Sequence, residues 1–423
     1  MHRDLRKIYR IIVLVLLLST TSVASAADIF TWKDCVMKAK ENHPDLISAF
    51  EQVKQAKEDK VINITSMLPQ LDASMSGKSA KASTGVTTDT YAYSVTGEQL
   101  VFDGFKTFYD ITSSSKTLEA EEYNYIVTSS NVRLYLKNAF TKLLKAQELL
   151  SLTKEISERR MKNLELVKLR YEAGREHRGS LLTAEADLAS AEYEVKQAER
   201  NIVLSQRELS KEMGLQKLNP MEAEGVFSVL RSYDLKPGIE KLAEDTPFLK
   251  ELIAKKEALR YDLKSERADF LPEVYLNGAL GKTSGTWPPE KDTWSFGVTV
   301  SLPIFEGGSR FAEVNKARSK FRQAAADQRS GRDSVLLTLE ETWKDLKDSI
   351  ESVSVQKKFL EAADERAKIT QAQYQTGLIS FDDWIIIEDN LVSTKKAYLN
   401  AQATMLTAEA YWIQAIGGVL GND

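Results

Sequence analysis

Side chains suited to metal binding or nucleophilic chemistry are scarce. After residue 26 the chain has two histidines, His43 and His177, and one cysteine, Cys35. Neither histidine joins a carboxylate or cysteine cluster at metal-ligand spacing, and there is no glycine-rich phosphate loop. This pattern points away from an enzyme, and no cofactor or metal is expected. Cys35 lies in a helical pattern and reads as a small packing residue. What remains is charge placed at two turns. Arg170, Arg175, His177 and Arg178 surround Tyr171-Glu172-Ala173-Gly174, whereas Asp382 and Asp383 follow Tyr374-Gln375-Thr376-Gly377 and Leu378. Glycine at a helix end supplies a left-handed residue. Adjacent carboxylates at a helix start commonly cap it. Tyr171 and Tyr374 read as packing residues of the turns.

The two turns stand at one fixed offset, and so does most of the chain. Pro44 and Pro247, Pro69 and Pro272, Phe102 and Phe305, Gly104 and Gly307, and Gly174 and Gly377 are each 203 residues apart. Landmarks so widely spaced, without gaps, imply two equivalent halves. Residues 27–215 form the first repeat and 237–416 the second, joined by a linker at 216–236 and followed by a short tail at 417–423. Each repeat opens with a short helix stopped by proline and a second helix ending near Leu-Pro. Period-two alternation then marks strands at about 68–78 and 91–102, and again at about 271–281 and 294–305. Gly104, Gly307 and Gly308 mark the bend from strand to helix. Long stretches follow, free of proline and nearly free of glycine, with seams such as Val132, Leu136, Ala139 and Leu143. They form helical hairpins over 105–213 and 308–416.

The alternating segments are about ten residues long, enough to cross a bilayer when tilted. Tyr91, Tyr93, Trp294 and Phe296 sit where an interfacial aromatic girdle is expected. Four strands cannot close a barrel, and an open sheet is not viable in lipid. A membrane role therefore demands that several copies share one sheet. The competing reading is a structural coiled-coil protein of the periplasm with no membrane insertion.

Residues 1–26 read as a secretory signal: a basic start, an apolar run from Ile11 to Leu18, and the small-residue site Ala24-Ser25-Ala26. They carry four basic residues and Asp4, so their removal moves the formal charge from −4 to −7. That balance gives no support for nucleic-acid binding.

In order and at duplicated spacing, these motifs resemble the TolC-type outer-membrane efflux family. The matching segments are Asn42-His43-Pro44, the two Leu-Pro strand entries, Leu100-Val101-Phe102-Asp103-Gly104, Leu302 to Gly308, and the two Tyr-x-x-Gly turns. The resemblance covers nearly all of the chain after residue 26. It implies a mainly α fold with a small β part. Each unit is a helix, two strands and a long helical hairpin. It implies a homotrimer whose outer-membrane β-barrel takes four strands per chain and continues as an α-helical tunnel in the periplasm. Its partners would be outer-membrane lipid, a periplasmic adaptor and an inner-membrane pump, of the RND, ABC or MFS class. The tips, Arg170, Tyr171, Gly174, Arg175, Arg178, Tyr374, Gly377 and Leu378, would meet the adaptor. Three copies of Asp382 and Asp383 would ring a constriction and favour cations. The resemblance assigns the narrowest point to Asp383. It also expects an aspartate where Ile386 stands and an arginine where Ile379 stands, so the charged latch is partial. Opposite charges on the two tips would hold the tunnel closed or steer the adaptor.

Overall fold

A computed structural model describes residues 28–83, 85–217, 220–229, 233 and 235–421. The expected signal at 1–26 lies outside the described residues. The sequence offset reappears as geometry. Helix α1 (Trp32–Asn42) leads into α2 (Pro44–Thr65), strands β2 (Gln70–Lys81) and β3 (Thr87–Phe102), and the hairpin α3 (Lys106–Glu172) and α4 (Arg178–Glu212). The second half repeats this with α5 (Ile239–Asp245), α6 (Pro247–Ala268), β5 (Glu273–Ser284), β6 (Lys291–Ser301), α7 (Ser309–Thr376) and α8 (Phe381–Ala415). The bounds of α2, β2 and α4, shifted by 203, are those of α6, β5 and α8.

Local chemistry sets the helix ends. Thr31 and Asp34 form a reciprocal capping box at α1. Both described histidines are caps: His43 Nδ1 accepts from Asp45 N, and His177 Nδ1 accepts from Ser180 N. Cys35 is fully buried, and burial pushes its thiol up to about 12, which fits an inert packing residue.

The long helix α3 is the hub. It packs on α2 and α4 of its own half and on α6 and α8 of the other. Each half has its own core at the middle of its long helix. Val132, Leu136, Phe140 and Leu143 on α3 are matched by Val335, Leu339, Trp343 and Leu346 on α7. No helix among the described residues is long and apolar enough to cross a membrane.

Three expectations need correction. The linker at 216–236 contains strand β4 (Met221–Glu224), which pairs in parallel with β1 (Asp28–Thr31). The residues after 416 are more than a tail, because Leu420 is buried in the first-half core and its N–H donates to Ser129 Oγ at 3.3 Å. The last strand ends at Ser301, not 305. Pro303 lacks an N–H, and β6 has no partner beyond it in this chain. Phe305 is consequently an exposed loop residue.

Candidate functional site

The four long strands form one antiparallel sheet in the order β2-β3-β5-β6. Its register sorts the side chains. Met75 pairs with Tyr93, Val95 with Leu280, and Leu280 with Trp294, so all five lie on one face. Leu71, Tyr91, Phe296, Val298 and Val300 share that face. It is strongly exposed in the single chain: Leu71 74 %, Phe296 72 % and Trp294 77 %. Two aromatics cover glycines that leave gaps in it. Tyr91 lies against Gly77, and Phe296 against Gly278. The opposite face is mainly polar, rich in serine and threonine and carrying Asp72, Lys78 and Glu98, with Ser74 bonded to Ser94 and Asn277 donating to Thr299. One apolar face and one hydroxyl-rich face is the arrangement of a wall between lipid and water. Strands β2 and β6 are free edges.

At the bend from strand to helix, Gly104 and Phe105 are both left-handed, as are Gly307 and Gly308. A Cβ at Gly104 would stand 2.5 Å from Leu271 Cβ and 2.9 Å from Ala268 O, whereas Gly307 has open space. Asp269 holds the starts of both long helices. Its carboxylate meets Lys106 at 2.5 Å and Arg310 at 3.4 Å. Phe102 ends β3 beside Phe105, the rings 5.8 Å apart.

At the other end the two hairpin tips join. Tyr374 is fully buried and stacks on Trp384, ring centroids 4.3 Å apart, with Phe381 against both. From the first tip, the Arg170 guanidinium lies over the Tyr374 ring and donates to the Tyr374 carbonyl at 2.7 Å. The Tyr374 hydroxyl donates to Glu176 Oε2 at 2.9 Å. Burial, then the bond to Glu176 and its negative charge, push the Tyr374 phenol up. Burial also works to raise Glu176, but bonds from Tyr374, Ser180 and the His177 N–H outweigh it and hold the carboxyl below its usual range.

The structure thus brings Arg170 and Tyr374 together, with Glu176, Phe381 and Trp384 as partners that the sequence reading missed. Glu176 stands inside a stretch that reads as basic, so its sign was the available signal. Arg175, Arg178, Leu378, Asp382 and Asp383 are exposed. Among the described residues no ion pair joins the two arginines to the two aspartates; the tips are bound through Tyr374. Gly174 and Gly377 end their helices with positive φ. The cap of α8 is Ser380, and Asp383 completes it. Asp383 N–H donates to Ser380 Oγ at 3.1 Å, and the hydroxyl donates to Asp383 Oδ2 at 2.7 Å. Ile386 is exposed one turn further along.

Above the tips the junction of α3 with α8 is ionic. Arg159 grips Glu388 through two bonds of 2.6 and 2.7 Å, and Asn163 adds one of 3.3 Å. Glu388 is only 1 % exposed. Arg160 pairs with Asp389, and Lys395 with Glu155 at 2.5 Å. The bond to Glu388, partly offset by burial, raises Arg159. Burial is also the main cause that raises Asp187, opposed by Arg160 at 3.9 Å.

A family profile described as "Outer membrane efflux protein" matches residues 36–215 and again 238–418. The outer membrane efflux protein BepC of Brucella suis biovar 1 (strain 1330) is 21 % identical, covering 97 % of this chain and 90 % of the relative. The cation efflux system protein CusC of Escherichia coli O157:H7 is 22 % identical, covering 91 % and 85 %. Among solved structures, CusC superposes with a TM-score of 0.85 at 17 % identity over 94 % of this chain and 96 % of that one. The Campylobacter jejuni CmeC outer membrane channel gives 0.83 at 21 % identity over 92 % and 86 %. The double match of the profile falls on the two halves that the fold repeats, and the chain belongs to the outer membrane efflux protein family.

Proposed function

We propose that three copies of this chain form a passive exit duct through the outer membrane. A periplasmic adaptor and an inner-membrane pump would supply the cargo and the energy. The observation that carries this is the sheet. It has one apolar face, one hydroxyl-rich face and two free edges, and such a sheet is not viable in lipid until copies close it. Three copies give twelve strands, with the polar face lining water and Tyr91, Tyr93, Trp294 and Phe296 toward lipid. The paired hairpins continue the wall as a tunnel. Gly104, Gly307 and Gly308 make the turn between the two walls.

In this reading Asp382 and Asp383 of each copy surround the narrow end. Their exposure supports a carboxylate ring that favours cations, and capping by Ser380 fixes where Asp383 points. Ile386 adds an apolar ring one turn inward. Exposed Tyr171, Arg175, Arg178 and Leu378 form the surface offered to the adaptor. Relatives named for cation efflux and for alkaline protease secretion are both compatible with such a duct.

Single-channel conductance of the purified protein in a planar bilayer tests this. Wild type should give small cation-selective steps that divalent cations block. Asp383→Ala should lose most of the selectivity and the block. Conductance unchanged by Asp383→Ala would remove the constriction from this site, and failure to insert in a bilayer would remove the duct.

A further inference from the structure

The polar face of the sheet is charged at both ends, and the signs are opposite. Strand pairing places each charge. Asp72 pairs with Thr96, Glu98 with Gln70 and Glu273 with Ser301, all near the strand ends that connect to helices. Lys78 pairs with Thr90 and Lys291 with Thr283, near the turns that join β2 to β3 and β5 to β6. No other charged residue of these four strands lies on this face. Glu273 accepts from the Tyr275 hydroxyl at 3.2 Å, and the other four charged residues are exposed.

The apolar face shows no such separation. Its charged residues are Lys81, Asp89, Lys282 and Asp292, two of each sign, all toward the turn end. Lys282 and Asp292 neutralise each other at 3.3 Å. Glu290 lies in the turn before β6, off the ladder. We propose that Lys78 and Lys291 form a positive collar at the outer mouth of the duct, opposite in sign to the carboxylates at the helix end of the same wall. The mouth then gathers anions and keeps polycations out. The proposal rests on the duct reading, which sets this face against water and the turns outward.

Distance and screening keep the two ends from cancelling. Lys78 is six positions beyond Asp72 on β2, about 20 Å of extended strand. The Debye length is about 10 Å in 0.1 M salt, so each end acts on its own stretch of water. Among the described residues Asp72, Glu98, Lys78 and Lys291 have no ion-pair partner, and each acts with its full charge. A wall of low dielectric focuses the field of such groups into the water it encloses. Copies of the chain around one axis multiply the collar without changing its sign. Cations are favoured at the carboxylate end and disfavoured at the mouth, where anything approaching from outside arrives first.

Cysteine labelling of the full chain in its oligomer tests the sign at each end. Cys35 is the only native cysteine and is fully buried, so an introduced thiol is read alone. Thr90→Cys and Thr96→Cys place it on one face of β3, opposite Lys78 and Asp72. The readout is the rate with sulfonatoethyl methanethiosulfonate, an anion, divided by the rate with its trimethylammonioethyl counterpart, a cation. Each quotient is taken in about 0.1 M salt relative to about 1 M, where the Debye length falls to about 3 Å. It should stand about fivefold above unity at Thr90→Cys and about fivefold below unity at Thr96→Cys. K78Q with K291Q should return the first to unity and leave the second, and D72N with E98Q should do the reverse. Quotients on the same side of unity at both positions, or a Thr90→Cys value unmoved by K78Q with K291Q, overturn the collar and leave the duct standing. An oligomer in which neither thiol reacts with either reagent has no water on this face, which overturns both.

Discussion

Tyr171 and Tyr374 occupy the same place in the two repeats, each three residues before a left-handed glycine. Tyr374 has no exposed surface, whereas Tyr171 is 38 % exposed. The difference comes from what stands across from each ring. Tyr374 meets Trp384, Arg170 and Glu176. Shifted by one repeat, these become Leu181, Gln373 and Ile379, which offer no stacking plane, no cation and no acceptor. Equal motifs at equal spacing therefore carry unequal energy. The two tips within one chain are bound together through Tyr374, and Tyr171 makes no matching set of contacts there.

Truncation should expose that asymmetry most strongly. Tyr374→Ala should cost about 3–5 kcal/mol at the tips, the range for a buried aromatic, against less than about 1 kcal/mol for Tyr171→Ala. Hydrogen exchange across residues 165–185 and 370–388 reads both, and equal losses would break the comparison. The ionic junction comes next. Arg159→Ala strands the buried Glu388 carboxylate and should cost about 3 kcal/mol, with protection lost first in α8. Arg159→Met combined with Glu388→Leu should recover most of it, since apolar replacement of a buried pair is well tolerated.

A smaller contrast separates the strand-to-helix bends. Alanine at Gly104 or Gly307 meets a left-handed backbone, which costs about 1–2 kcal/mol at either site. Gly104→Ala should cost more, because its Cβ meets Leu271 and Ala268 O while Gly307 faces open space. The yield of assembled oligomer is the measure, and equal yields would mean that Leu271 moves aside.

The smallest effect is in pH. The folded carboxyl of Glu176 lies below its ordinary value of 4.5, so its contribution is complete above 4.5 and fades as pH falls through the lower folded value. The Tyr374 phenol lies above its ordinary 10.0, so its contribution is complete below 10 and fades as pH rises through the higher folded value. Protection of the tips should be flat between these limits and weaken outside them. Glu176→Gln should abolish the acid-side change, and an unaltered acid limb would remove Glu176 from the link.

Much of this was written in local pattern. The offset of 203, the proline stops, the strand alternation and the glycine-free stretches depend on neighbours a few residues away, and the elements formed where those patterns lay. The family followed from their order. Local pattern was silent where the partner is remote. Strand β4 is four residues inside an irregular linker and exists because β1 lies beside it. Leu420 looks like part of a frayed end until the first-half core receives it. Phe305 repeats Phe102 in sequence, but β3 has partners on both sides and β6 on one.

The tips mark the same boundary. Composition made the first turn basic and the second acidic, and charge alone suggested that opposite signs on the tips hold the tunnel closed or steer the adaptor. The folded chain joins the tips through Arg170, Tyr374 and Glu176 and leaves Arg175, Arg178, Asp382 and Asp383 exposed. The sequence by itself determined the elements, the duplication and the family, because each rests on periodicity and short-range sterics. Only the tertiary structure decided which of two equivalent residues is buried, because burial depends on the element packed opposite, and the two halves face different neighbours.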